Sequence, residues 1–140
     1  MAQTVFTVKL DTRGLESIAK NLAPRAERLL DKAATNIERG AKRRAPVDTG
    51  ALRNSIGWKR AGRFTRIIAD GVEYGIDVEF GTGPHIIRPK SKRALAFNIG
   101  GKRIVRRYVF HPGTRPHPFL VPAVRAEIPY LTTCWRQLFR

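Results

Sequence analysis

Residues 24–46 read PRAERLLDKAATNIERGAKRRAP. Ala26, Leu29, Leu30, Ala33, Ala34, Ile37 and Ala41 recur at spacings of three and four, the period that aligns side chains along one side of an α-helix. Arg25, Arg28, Lys32, Arg39 and Lys42 fall mostly off that stripe, so the segment predicts an amphipathic helix. Pro24 suits the first turn, where its missing N–H would have no partner. Pro46 stops the helix, and Lys42-Arg43-Arg44 occupy the last turn, where the helix dipole favours cations. Glu38 and Lys42 form an i,i+4 pair that stabilises by a few tenths of a kcal/mol. Gly40 costs ~1 kcal/mol against alanine and marks either a close helix contact or early fraying.

Working outward from this helix, residues 4–10 (TVFTVKL) alternate loosely as a strand, and residues 11–20 read as a turn and a short helical segment. Beyond Pro46, Asp48 or Thr49 can cap a helical turn ending near Ser55. Three strand-like pieces follow at residues 56–60, 64–70 and 74–80, with hairpin breaks at Ala61-Gly62-Arg63 and Gly71-Val72-Glu73, which predicts an antiparallel meander. Residues 81–93 read as loop, and 94–98 with 103–110 as a further strand pair around Asn98-Ile99-Gly100-Gly101. Pro112, Pro116, Pro118 and Pro122 impose an extended connection. A last helix carries Leu120, Val124, Ile128, Leu131, Trp135 and Leu138 on one face, with Pro129 expected to kink or restart it. The fold class expected is α+β, an antiparallel sheet meander packed against the long helix and a C-terminal helix. The 140 residues fit one domain, with a basic loop or hairpin insertion around residues 83–110.

Hydrophobic residues make up 42% of the chain, enough for a core, yet no run of 18 apolar residues exists to span a membrane. Met1-Ala2-Gln3-Thr4-Val5-Phe6 has no basic stretch leading into an apolar one, so it does not read as a secretory signal. The single cysteine, Cys134, cannot form an internal disulfide and suits assembly in a reducing cytoplasm; beside Trp135 on an apolar face it reads as a buried small hydrophobe. The formal net charge is +16 and is unevenly spread. Residues 47–80 balance, whereas residues 81–118 hold nine Lys or Arg and no acid. An isolated basic run is often a solvated loop, but this density calls for a polyanion or an acidic protein surface.

Catalytic constellations are not visible. His85, His111 and His117 lack the further ligands a zinc site needs and read as local hydrogen-bonding groups. Ser55, Ser91 and Cys134 have no elbow motif around them. Asp70, Glu73, Asp77 and Glu79 could imitate a metal-dependent nuclease cluster, with Asp77 and Glu79 on one face of a strand, but no His or Lys accompanies them in the expected way. Gly81-Thr82-Gly83 lacks the third glycine and the following helix of a phosphate-binding loop. No cofactor and no metal is expected.

Two segments carry a resemblance. One is Ala41-Lys42-Arg43-Arg44-Ala45-Pro46-Val47-Asp48-Thr49-Gly50-Ala51-Leu52-Arg53-Asn54-Ser55-Ile56. The other runs Tyr74-Gly75-Ile76-Asp77-Val78-Glu79-Phe80-Gly81-Thr82 and resumes at His111-Pro112-Gly113-Thr114-Arg115-Pro116-His117-Pro118-Phe119-Leu120-Val121-Pro122-Ala123. In this order, over roughly residues 25–126, they resemble the siphophage tail-completion, or neck, family of tail components. Each piece alone is weak; APVDTGALR, EFGT and PFLxPA together are specific. Gly75, where alanine is expected, and Pro129 in the last helix depart from the pattern. The motif residues take scaffold roles: Pro46, Asp48 and Thr49 end one helix and cap the next, and Gly50 permits a left-handed backbone. Glu79, Phe80, Gly81 and Thr82 end a strand with Phe80 inward, while Pro118, Phe119 and Pro122 set an aromatic anchor under the final helix.

The resemblance implies a non-enzymatic virion protein at the neck or upper tail, assembled in the bacterial cytoplasm. It would be copied six or twelve times into a homo-oligomeric ring around the DNA channel. Head-closure or adaptor and tail-terminator proteins would be its neighbours, with possible non-specific contact to packaged double-stranded DNA and none to membrane. A ring needs two different patches that meet. The candidates are the acids Asp70, Glu73, Asp77 and Glu79 against the cations Arg88, Lys90, Lys92, Arg93, Lys102, Arg103, Arg106 and Arg107 of a neighbour. Alternatively those cations face DNA phosphates. The rival reading is a free basic nucleic-acid-binding protein or small nuclease. It explains the charge but not the motifs, and only Phe97, Tyr108 and Phe110 supply aromatics within the basic block.

Overall fold

The structure is a computed structural model and describes residues 5–9 and 22–138. The turn and helical segment expected over residues 11–20 lies outside the described residues. Eleven elements follow in order: β1 (Val5–Lys9), α1 (Ala23–Arg44), α2 (Ala51–Ser55), β2 (Gly57–Gly62), β3 (Thr65–Ala69), α3 (Gly75–Phe80), β4 (His85–Ile87), β5 (Leu95–Ile99), β6 (Lys102–Arg106), β7 (Val109–His111) and α4 (Leu120–Gln137). Helices and antiparallel sheets together make an α+β fold, as the sequence predicts.

The stripe on α1 is the inward face, with Ala26, Leu29, Leu30, Ala33, Ala34, Ile37 and Ala41 all buried. It packs between β3 and α4, and the core is completed by Ile56, Ile68, Phe119, Leu120 and Ala123. Gly40 resolves as a close contact: a Cβ placed there would lie 3.3 Å from Cβ of Ala123 on α4. The small residues of α1 therefore let α4 approach closely, and a larger side chain at position 40 would push the two helices apart. Ala45 ends α1 in an extended conformation (φ −58°, ψ 128°), the geometry imposed on a residue before proline. Gly50 follows in the left-handed region at φ 83° and accepts the first α2 bond from the Asn54 N–H at 2.9 Å. The Thr49 hydroxyl accepts from the Ala51 N–H at 3.3 Å, whereas Asp48 is exposed and makes no capping bond among the described residues.

β2 and β3 form the expected hairpin, with a register irregularity between Arg60 and Gly62. The third strand does not come from residues 74–80. β1 pairs antiparallel with β3, giving the order β1-β3-β2. Both edges of β3 are thereby taken, and residues 75–80 form α3 instead. Gly75 and Glu79, four apart, are its two buried residues, a helical and not a pleated spacing. Gly75 does not loosen a strand: the Asp70 carboxylate occupies the space a Cβ at Gly75 would need. Phe80, expected inward, is 58% exposed, because α3 turns its Glu79 side to the interior.

Asp31 on α1 accepts from Arg60 and, at 2.5 Å, from Nε of Arg66, and Glu27 pairs with Arg63 at 3.0 Å. Arg66 is buried, and its guanidinium also donates to the Gly62, Arg63, Thr65 and Glu27 carbonyls. Burial would raise the Asp31 pKa, but hydrogen bonds from Arg60 and Arg66 outweigh it and hold that carboxyl below the ordinary 3.8. The hairpin is thus clamped to α1 by its arginines.

α4 continues through Pro129 as one helix. Pro122, expected in the extended connection, is its third residue, where no intrahelical donor is required. Of the apolar face expected on α4, Leu120 is buried but Ile128 is 52% exposed, and Cys134 is half-buried instead of buried. Beyond the second turn the face is only half-covered, Leu131, Trp135 and Leu138 keeping intermediate exposure. No helix among the described residues is long and apolar enough to cross a membrane.

Candidate functional site

Residues 81–118, between α3 and α4, contain no buried residue. They form an arm. Its stem pairs β4 with β7 in the register His85↔His111, Ile86↔Phe110 and Ile87↔Val109. Its tip pairs β5 with β6, from Leu95↔Arg106 to Ile99↔Lys102, closed at Gly100-Gly101. The loop expected over 81–93 therefore contains β4, and the strand expected over 103–110 divides into β6 and β7.

The base of the arm is closed by the two recognisable segments meeting. Thr82 and Thr114 exchange backbone hydrogen bonds at 3.1 Å, and their hydroxyls lie 3.1 Å apart. The His117 N–H donates to the Val78 carbonyl at 2.8 Å. Gly81, at φ 72°, passes so close that a Cβ would lie 2.5 Å from the Thr114 carbonyl oxygen. Pro46 faces Tyr74, Val78, Thr82, Thr114 and His117 across an open cavity of about 490 Å³, so the first motif segment borders the same junction.

Glu79 is the centre of this closure. Its Oε2 accepts from the N–H groups of Phe119 (2.8 Å) and Leu120 (2.9 Å), and its Oε1 from Val121 (2.9 Å). The next residue, Pro122, has no N–H. The four amide positions that a helix start leaves without a partner are thus all accounted for by one carboxylate and one proline. The carboxylate also meets the positive end of the helix dipole. Phe119, wholly buried, anchors this end in the core as expected.

The sequence-derived acidic patch does not exist as a surface. Asp70 and Glu79 are each 1% exposed, Asp70 packed on Gly75 and Glu79 committed to α4, and only Glu73 and Asp77 reach the outside. A shared strand face for Asp77 and Glu79 is lost with the strand. No group of three or more His, Cys, Asp and Glu among the described residues is placed to hold a metal ion.

The cations all lie outward. Arg88, Lys90, Lys92 and Arg93 occupy the link between β4 and β5, Lys102, Arg103 and Arg106 lie on β6, and Arg107 follows it; all eight are exposed. Alternation puts Lys102 and Arg106 on one face of β6 and Arg103 on the other, so both faces are basic. Interleaved with them, Ile86, Ile99, Val105, Tyr108 and Phe110 are large apolar side chains left exposed, Phe110 at 64%. Ile86 and Phe110 are cross-strand partners on the same face of the stem. On the opposite face the His85 and His111 rings stack at 5.0 Å. Nδ1 of His85 lies 3.0 Å from the Gly83 carbonyl, and Nδ1 of His111 accepts from the Gly113 N–H at 3.1 Å, so both serve local geometry. The arrangement can bind anionic and apolar surfaces together, and it brings no nucleophile to a base.

The sequence reading missed two residues, Glu79 as a remote cap and Arg66 as a buried clamp. The missing local cap before Leu120, where Pro118-Phe119 offer no side-chain oxygen, was the available signal for Glu79.

The model of a protein family described as "Bacteriophage HK97-gp10, putative tail-component" matches residues 12–81, half of the chain, ending where the arm begins. No curated protein and no solved structure matches.

Proposed function

The chain belongs to the bacteriophage HK97-gp10 tail-component family, and from that premise we propose that it forms a homo-oligomeric ring at the head–tail junction, around the channel through which DNA passes. It is a structural component of the phage virion. The observation that carries the finer reading is the arm, a segment of 38 residues without one buried side chain, holding nine cations and a run of exposed large hydrophobics. A free monomer gains nothing from Ile86, Tyr108 and Phe110 in water; a subunit whose arm is covered on assembly does. The arm reaches the next copy or a neighbouring head-closure or tail-terminator protein, and ring closure with six or twelve copies fits this heterologous contact.

Contact between copies does not run through an acidic strand, because Asp70 and Glu79 face the interior. The apolar pair Ile86–Phe110 supplies the contact, and the cations of the β4–β5 link turn to an acidic neighbour or to DNA. The nuclease alternative loses its basis for the same reason, since both oxygens of Glu79 are engaged by backbone amides. The test is complementation of a phage lacking this gene. Without the protein, micrographs should show filled heads and separate tails, and a variant with Arg88, Lys90, Lys92 and Arg93 all changed to Glu should fail to restore joined particles. Normal yields of infectious particles with that variant would sink the proposal.

A further inference from the structure

A second cationic surface lies away from the arm. An open groove of about 640 Å³ runs between the C-terminal half of α1 and α2, and its lining includes Glu38, Arg39, Lys42, Arg43, Val47 and Arg53. Lys42 and Glu38 pair at 2.5 Å and offset each other. Arg39, Arg43 and Arg53 are exposed, and their side chains engage no hydrogen bond or ion pair among the described residues. Three guanidinium groups from two helices therefore converge on one groove with no carboxylate left over for them.

Among the described residues, another copy of the chain offers few carboxylates for them. Glu27 pairs with Arg63, Asp31 with Arg60 and Arg66, and Glu38 with Lys42. Glu127 accepts from Asn36 at 2.8 Å, Glu79 caps α4, and Asp70 is buried. Among the described residues only Asp48, Glu73 and Asp77 remain as exposed, uncommitted acids. Packing copies together would concentrate a charge of +16 each and neutralise little of it.

We propose that this groove is a binding site for the phosphate backbone of duplex DNA, distinct from the arm. Guanidinium forks match phosphate oxygens bidentately. A duplex offers one negative charge per ~1.7 Å of axis, enough to serve the groove and the arm at once. Among the described residues no aromatic side chain lines the groove, so they supply no platform for the unstacked bases of a single strand. Recognition is of charge and spacing, without sequence preference.

The test measures binding of the full-length protein to a short fluorescent duplex by anisotropy over a range of salt. A triple variant, Arg39→Glu/Arg43→Glu/Arg53→Glu, is compared with the arm variant Arg88→Glu/Lys90→Glu/Lys92→Glu/Arg93→Glu. Loss of three phosphate contacts should make the slope of log K against log salt shallower by about 2.7 and weaken binding more than tenfold at low salt. Arg39→Lys/Arg43→Lys/Arg53→Lys should restore most of the slope and leave thermal melting unchanged, since all three side chains are exposed, whereas the Glu triple should lose a few degrees at most, because Arg43 sits in the last turn of α1, where the helix dipole favours cations. The proposal is overturned if the triple reversal leaves slope and affinity as in the unmodified protein while the arm variant accounts for the whole loss. Absence of duplex binding by the unmodified protein overturns it too. Tighter binding of polyglutamate than of the duplex at equal charge would do the same, pointing to an acidic protein as the occupant. None of these outcomes bears on ring assembly, which the complementation experiment reads separately.

Discussion

The core and the arm use similar apolar residues to opposite ends. In the core, Leu30, Ile37, Ile68, Phe119 and Leu120 are each almost wholly removed from water around α1, β3 and α4. In the arm, Ile86, Ile99, Val105 and Phe110, on paired strands, and Tyr108, between β6 and β7, remain in it. Folding of the monomer accounts for the first set and leaves the second unexplained. The difference separates two tasks along the chain: the core fixes geometry, and the arm carries surface meant for something else. Charge follows the same division. Glu27, Asp31, Glu38 and Glu79 are tied to arginines, a lysine or backbone amides, while the arm has cations and no acid at all.

If this division is right, substitutions should split by readout. The largest loss of stability is expected from Glu79→Ala, which strips three amides at the start of α4 of their acceptor. Removing one side of such a buried, charge-assisted set costs about 3–5 kcal/mol, read as a fall of roughly 10–20 °C in Tm by calorimetry. A fall of only a degree or two would mean that the arm base is not coupled to the core. Gly40→Leu comes next, since its side chain must enter the space held by Ala123; overpacking of this kind costs about 1–3 kcal/mol, measured by urea unfolding. The smallest effect on stability should come from Phe110→Ser, within about 0.5 kcal/mol, because the ring is already exposed. That variant should nevertheless fail to enter virions, as read by immunoblotting of purified particles. A strongly destabilised Phe110→Ser protein would show that the arm packs on the core and would erase the distinction.

The sequence made α1 legible because its stripe repeats over about four turns and proline stands at both ends, Pro24 and Pro46. The β2–β3 hairpin, the start of α4 and the density of cations in the arm were legible for similarly local reasons. Residues 74–80 were not. Gly75-Ile76-Asp77-Val78-Glu79-Phe80 alternates like a strand, and nothing local reports that β1, some seventy residues earlier, has already taken the free edge of β3. The same holds at the site: carboxylates are usually exposed, yet Asp70 is packed on a glycine and Glu79 serves a helix forty residues away. Arg66 was hidden likewise, since its partner Asp31 lies on a different element. The family match, over residues 12–81, takes in α1, α2, the β2–β3 hairpin and α3 but neither β1 nor α4.

The closure at Thr82–Thr114 and Glu79–α4 has a corollary. The chain leaves the core and returns to it at a point held shut by its own hydrogen bonds, so the core experiences the arm only as a loop with fixed ends. Doubling the length of such a loop adds only about 0.6 kcal/mol of closure entropy. Arms of other lengths and charges can therefore be grafted between Thr82 and Thr114 at little cost to the folded base.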